Sequence, residues 1–199
     1  MSQLVLSGSL KEFFKLLVEE VIQRQRVSLA EVTEFYVVNL LSEFAAAEKL
    51  FTKDLEGKKD SEPLAIMYTR ALQQDRDQRI RTLRQLGDQS LYTAGFFQQS
   101  LQDRVVGADY YMQMGRKAYA AIADLAPSSS FSHVYTELDQ KFSSLVEVLQ
   151  EIAARGQVAS GPQGQMRVLE TWAKTGDERL EAVLMDAGLL PKKKKLLAN

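Results

Sequence analysis

The 199-residue chain has no cysteine, one histidine (His133) and four prolines. Without cysteine there is no disulfide, no thiolate nucleophile and no cysteine-ligated metal. A lone histidine cannot supply the paired imidazoles of an HExxH site. The Glu-x-x-His pattern that builds di-metal centres in helical bundles does not occur. Neither GxGxxG nor GxxxxGK followed by Ser or Thr is present, which removes the usual phosphate-cradling loops. The expectation is therefore no metal, no cofactor and no recognisable catalytic residue. Long apolar runs are missing too. The longest, residues 118–123, falls far short of the ~18 residues of a membrane span. The opening Met1-Ser2-Gln3-Leu4-Val5-Leu6 has neither a basic n-region nor a long apolar h-region, so no signal peptide is expected. These absences point to a cytoplasmic protein.

Net charge is also nearly absent, at −1. That sum hides a division. Four of the 25 basic residues are Lys192, Lys193, Lys194 and Lys195, which leaves 21 basic against 26 acidic in the rest of the chain. The body thus carries −5 and the tail +4. An acidic body argues against nucleic acid as a partner, because such binding rests on neutralising phosphates. The tail reads best as a solvated extension. Membrane contact through its four lysines and two leucines would be weak and reversible, and an import signal is the third reading.

What is present is helical periodicity. Apolar residues recur every three or four positions between breaks at Pro63, Pro127, Pro162 and Pro191. Two Ser-x-x-Glu capping boxes, at Ser9 and Ser28, predict helices over 10–24 and 29–54. The first buries a stripe of Leu10, Phe13, Phe14, Leu17 and Val21. The second presents Val32, Phe35, Tyr36, Asn39, Leu40 and Glu43 in neighbouring rows, widened by Val38, Leu41 and Ala45. A third helix spans 63–86 and is stopped by Gly87. Asp88 then caps a fourth, whose face includes Leu91, Tyr92, Gly95, Phe96 and Leu101. A fifth covers 108–125. A sixth runs from Ser130 or Ser132 to about 155, with Phe131, Val134, Leu138, Phe142, Leu145, Val148, Leu149 and Ile152 on its apolar face. Residues 4–6 read as a short extended arm. The expected fold is all-α: a six-helix bundle-like core (1–155), a Gly-rich linker (156–164), a C-terminal helical pair (165–190) and a basic tail (191–199). The pair is stopped at Gly176 and Gly188. Trp172, the single tryptophan, is expected to dock it on the core.

The densest chemistry lies in Asp109-Tyr110-Tyr111-Met112-Gln113-Met114-Gly115-Arg116-Lys117-Ala118-Tyr119. Gly115 inside a helix costs about 1 kcal/mol relative to Ala. A close helix crossing best explains it, with Tyr111 and Tyr119 one turn to either side. The competing reading is a pocket lined by Tyr92, Phe96, Tyr111, Met114 and Tyr119. Asp88 and Asp109 read as helix-start carboxylates, or else as charge partners of Arg104 or of an arginine from the third helix. Arg76, Arg79, Arg81 and Arg84 do not share one face, and Asp75 and Asp77 are interleaved. They read as a solvated face laced with ion pairs rather than a phosphate site. His133 should be exposed.

Several segments together resemble an all-helical bacterial hypothetical-protein family without assigned activity. They are Glu34-Phe35-Tyr36-Val37-Val38-Asn39-Leu40-Leu41, Arg79-Ile80-Arg81-Thr82-Leu83-Arg84-Gln85-Leu86-Gly87-Asp88, Tyr92-Thr93-Ala94-Gly95-Phe96-Phe97, and Asp109-Tyr110-Tyr111 with Met114-Gly115 and Ala118-Tyr119. The resemblance covers roughly residues 30–125. It implies a bacterial cytosolic protein and carries over no catalytic residue. The function expected from these readings is a non-enzymatic interaction, scaffold or regulatory protein with a protein partner or a second copy of itself, as a homo-oligomer. The alternative is a regulator or enzyme holding a small molecule in the aromatic pocket.

Overall fold

A computed structural model describes residues 2–50, 62–97, 101, 106–125, 127 and 131–190, with the side chains of 2–9 and 48–50 left aside. Every element among the described residues is helical, as the periodicity predicts. The order is α1 (Ser2–Gln25), α2 (Glu31–Leu50), α3 (Leu64–Leu72), α4 (Arg76–Phe96), α5 (Ala108–Leu125), α6 (Ser132–Gln140), α7 (Phe142–Ala159), α8 (Pro162–Thr175) and α9 (Glu178–Asp186). No helix among these residues is long and apolar enough to cross a membrane.

The chain divides into two compact units, Met1–Leu149 and Gln150–Asn199, with the boundary inside α7. The expected linker at 156–164 is not one: α7 continues as helix through Gly156 to Ala159, and α8 begins at Pro162. In the first unit α4 packs on α5, α5 on α6, α1 on α2 and α3 on α4. Its interior includes Val18, Val37, Leu41, Leu83, Leu86 and Leu91. In the second unit Ala154, Val168, Val183 and Leu184 form a small core, and Trp172 packs against it with Val158 and Leu169. Gly176 ends α8 with φ +66, a left-handed conformation in which a side chain would be strained. Asp177 caps α9, its carboxylate accepting from Arg179 N–H at 2.8 Å.

Several helix ends differ from the sequence expectation, each for a physical reason. Helix α1 begins at Ser2, so residues 4–6 are not extended and Ser9 lies inside a helix. It ends at Gln25 and is followed by Arg26, which adopts φ +56. The Val27 N–H reaches Ile22 O and the Arg26 N–H reaches Gln23 O, the paired bonds of a left-handed helix stop. At the start of α2 the orphan donor goes to a distant acid instead of Ser28. The Ala30 N–H donates to both Glu137 oxygens (3.2 and 3.1 Å), and Lys141 Nζ bonds Ser28 O and lies 3.2 Å from Glu137. The single helix expected over 63–86 is two. Asp75 caps α4 by accepting from Gln78 N–H at 3.0 Å, an Asp-x-x-Gln signal visible in the sequence. Helix α4 then runs through Gly87 and Asp88 without stopping. The helix expected from 130 or 132 to 155 breaks at Lys141 into α6 and α7. Most of its predicted apolar residues are buried, but Phe131 is exposed.

Candidate functional site

Three glycines bring α4, α5 and α7 close together. A Cβ at Gly87 of α4 would lie 2.5 Å from the Tyr119 ring of α5. One at Gly115 of α5 would collide with the Phe142 ring and stand 2.9 Å from Ser90 Cβ, and one at Gly95 of α4 would collide with Leu149. Gly115 therefore marks a tight helix contact. The approach at Gly87 seats Tyr119, fully buried, with its hydroxyl against Asp88.

Asp88 is the centre of a polar network that draws on four helices. Its Oδ1 accepts from Tyr36 OH of α2 at 2.5 Å and from Tyr119 OH of α5 at 2.8 Å. Its Oδ2 faces Arg84 Nε, one turn earlier on α4, at 3.5 Å. Arg84 also lies over the Tyr36 ring, 5.7 Å from its centroid. Tyr135 of α6 completes the group, 5.9 Å from both Tyr36 and Tyr119 between ring centroids. The Asp88 side chain is only 14% exposed. Burial raises its pKa above the usual carboxylate value, and hydrogen bonds from Tyr36 and Tyr119 and the charge of Arg84 offset this in part. Burial first, and then the Asp88 charge, push Tyr36 and Tyr119 further from ionisation than an ordinary phenol. Both hydroxyls are thus donors at neutral pH. They hold the carboxylate.

The helix-start reading of Asp88 is corrected by this arrangement. It is a mid-helix carboxylate paired with an arginine, because Gly87 serves the Tyr119 contact rather than a helix stop. Asp109 does lie in the first turn of α5 and is exposed. The predicted aromatic set is not one cluster. Tyr92 stacks between Phe44 and Phe96, at 4.3 and 4.6 Å. Tyr111 sits edge-on to Tyr110, 5.8 Å away. Met114 is buried. Tyr110 OH accepts from Ala65 N–H at 3.1 Å and so caps the start of α3. Lys192, Lys193, Lys194 and Lys195 lie outside the described residues.

Two arginines of α4 serve backbone carbonyls. Arg79 donates to the carbonyls of Ala71, Leu72 and Gln74 (3.2, 2.9 and 3.1 Å), closing the end of α3. Arg76 donates to Leu125 O, the last residue of α5, at 2.8 Å. A cation at a helix C-terminus satisfies orphan carbonyls and meets the negative end of the dipole. His133 is exposed, as expected.

Two depressions flank an apolar ridge on α2. The first, about 220 Å³, lies beside Asp88 and is bordered by Tyr36, Asn39, Glu43, Arg84, Phe131 and Tyr135. The second, about 590 Å³, is a groove between α1 and α2 with Val18 and Val38 at its base. Val32 and Phe35 line both. They are 57% and 63% exposed. The buried face of α2 is instead Thr33, Val37, Leu40 and Leu41. Neither depression is lined by Tyr92, Phe96, Tyr111, Met114 or Tyr119. No group of three or more potential metal ligands occurs among the described residues.

No family model matches the chain, and neither a curated protein nor a solved structure shows significant similarity to it.

Proposed function

We propose that this is a non-enzymatic helical interaction protein of the bacterial cytoplasm, and that it presents α2 to a protein partner. One observation carries the reading: Val32 and Phe35 stand exposed as a ridge between two depressions. Scattered surface apolar residues are ordinary, but apolar residues around a concavity are the usual form of a binding surface. Phe131, 64% exposed at the border of the smaller depression, extends that surface.

The Asp88 network supports the same reading from the other side. Its carboxylate oxygens are already occupied by Tyr36, Tyr119 and Arg84. The depression beside it, at about 220 Å³, is smaller than the roughly 300–1,000 Å³ of small-molecule sites. We assign the network to holding α2, α4 and α5 together beneath the presenting face.

The test is a photocrosslinking side chain placed at position 35 and, separately, at exposed Gln113 on α5. Irradiation in the native cell should give one discrete adduct from position 35 and none from position 113. Equal adducts, or none from position 35, would contradict the reading. An adduct at twice 22.4 kDa would identify a second copy as the partner.

A further inference from the structure

The groove between α1 and α2 has a charge pattern as well as an apolar floor. Four glutamates border it, Glu12, Glu19, Glu31 and Glu34, against two lysines, Lys11 and Lys15. Lys15 lies 3.8 Å from Glu19, so one of the two cations is already engaged. On the α2 side the charged border residues are both acids. Partial burial and then the charges of Glu19, Glu31 and Glu137 raise the pKa of Glu34 above its ordinary value. Like charges are thus gathered around exposed Val32 and Phe35. Two copies joined face to face through this groove would gather twice as many glutamates as lysines in one interface, and the uncompensated acids cost affinity.

Resting on the interaction reading above, we propose that the groove takes a basic amphipathic helix of another protein. Its apolar side chains would lie on Val32, Phe35 and Val38, and its lysines or arginines would face Glu31 and Glu34. The dimensions suit this occupant. Helix α1 borders the groove from Lys11 to Glu19, a rise of about 12 Å. That length seats about two turns, the spacing of anchors at i, i+3 or i+4, and i+7.

The experiment is fluorescence anisotropy of the full chain with two labelled synthetic helices of about 18 residues. Both carry leucine at the anchor spacing. One has lysine at the remaining positions and the other glutamate. The lysine helix should bind the wild type, and the glutamate helix should bind at least about tenfold more weakly, a difference of ~1.4 kcal/mol. Glu31→Gln with Glu34→Gln should weaken the lysine helix several-fold, as should added salt. Phe35→Gln should weaken it most, with an unchanged circular dichroism spectrum because the side chain is exposed.

Equal binding of both helices, each weakened by Phe35→Gln, would overturn the charge assignment and leave the docking surface standing. Binding of neither, or binding indifferent to Phe35→Gln, would overturn the proposal. The interaction reading keeps its own readout in the position-35 cross-link. Light scattering that shows a dimer dissolved by Phe35→Gln would make a second copy the occupant and overturn the proposal as well.

Discussion

Asp88, in the middle of α4, and Glu34, in the first turns of α2, are both carboxylates whose pKa burial raises. Their neighbours differ in kind. Asp88 meets two phenol donors and a guanidinium, each of which favours its charge. Glu34 meets Glu19, Glu31 and Glu137, each of which opposes it. A fold that surrounds one acid with donors and leaves another among acids is using the two for different ends. The first belongs to the interior architecture. On the function proposed above, the second belongs to a surface whose electrostatics a partner completes, at some cost to the free chain.

Substitutions can break this contrast in order of size. Asp88→Ala should lose about 3 kcal/mol in urea unfolding, because the hydroxyls of buried Tyr119 and half-buried Tyr36 lose their acceptor, at roughly 1–3 kcal/mol for each such group. Asp88→Asn keeps an acceptor oxygen and removes the charge, so its loss should stay below about 1 kcal/mol. A loss as large as that of alanine would place the stabilisation in the ion pair instead. Tyr36→Phe should cost about 1.5 kcal/mol, the value of a hydrogen bond to a charged group. Gly95→Ala tests the close approach of α4 and α7. Helix propensity alone favours alanine by about 1 kcal/mol, but collision with Leu149 should reverse the sign and leave a net loss of about 1 kcal/mol.

Glu34→Gln is the smallest effect and carries the opposite sign. The folded pKa of Glu34 lies above its ordinary value of 4.5. Ionisation therefore disfavours the folded state once pH rises through the unfolded value, and this penalty is complete above the folded pKa. Glutamine removes it, so Glu34→Gln should be more stable at neutral pH by about 0.3 kcal/mol, the scale of solvent-screened charge pairs. Below pH 4.5 both proteins carry a neutral group there and the gain should vanish.

Much of the fold was legible from local pattern. The bounds of α5 matched because Gly107 and Asp109 mark its start and apolar spacing fills the rest. Gly176 and Gly188 stop α8 and α9 because both adopt the left-handed conformation that glycine permits. Ends secured from a distance were not legible. Glu137 meets Ala30 across 107 residues, and no local rule points to it. The Gly87-Asp88 pair has the local grammar of a stop followed by a cap. Its meaning comes from Tyr119, 31 residues beyond Asp88. The division of the aromatic set was not legible: Tyr92 meets Phe44, and Tyr119 meets Asp88. Which members of the apolar rows of α2 face outward, Val32 and Phe35 among them, was hidden for a simpler reason. Periodicity reports apolar character, and a docking surface shares that character with an interior.

The contrast between an acid held by donors and an acid left among acids is tested most directly by urea unfolding of Glu34→Gln beside the wild type. The measurement is made at neutral pH and again below pH 4.5. The account predicts a higher midpoint for the variant at neutral pH and coincident midpoints in acid. A lower midpoint at neutral pH would show that Glu34 stabilises the free chain, and would contradict the assignment of its face to a partner.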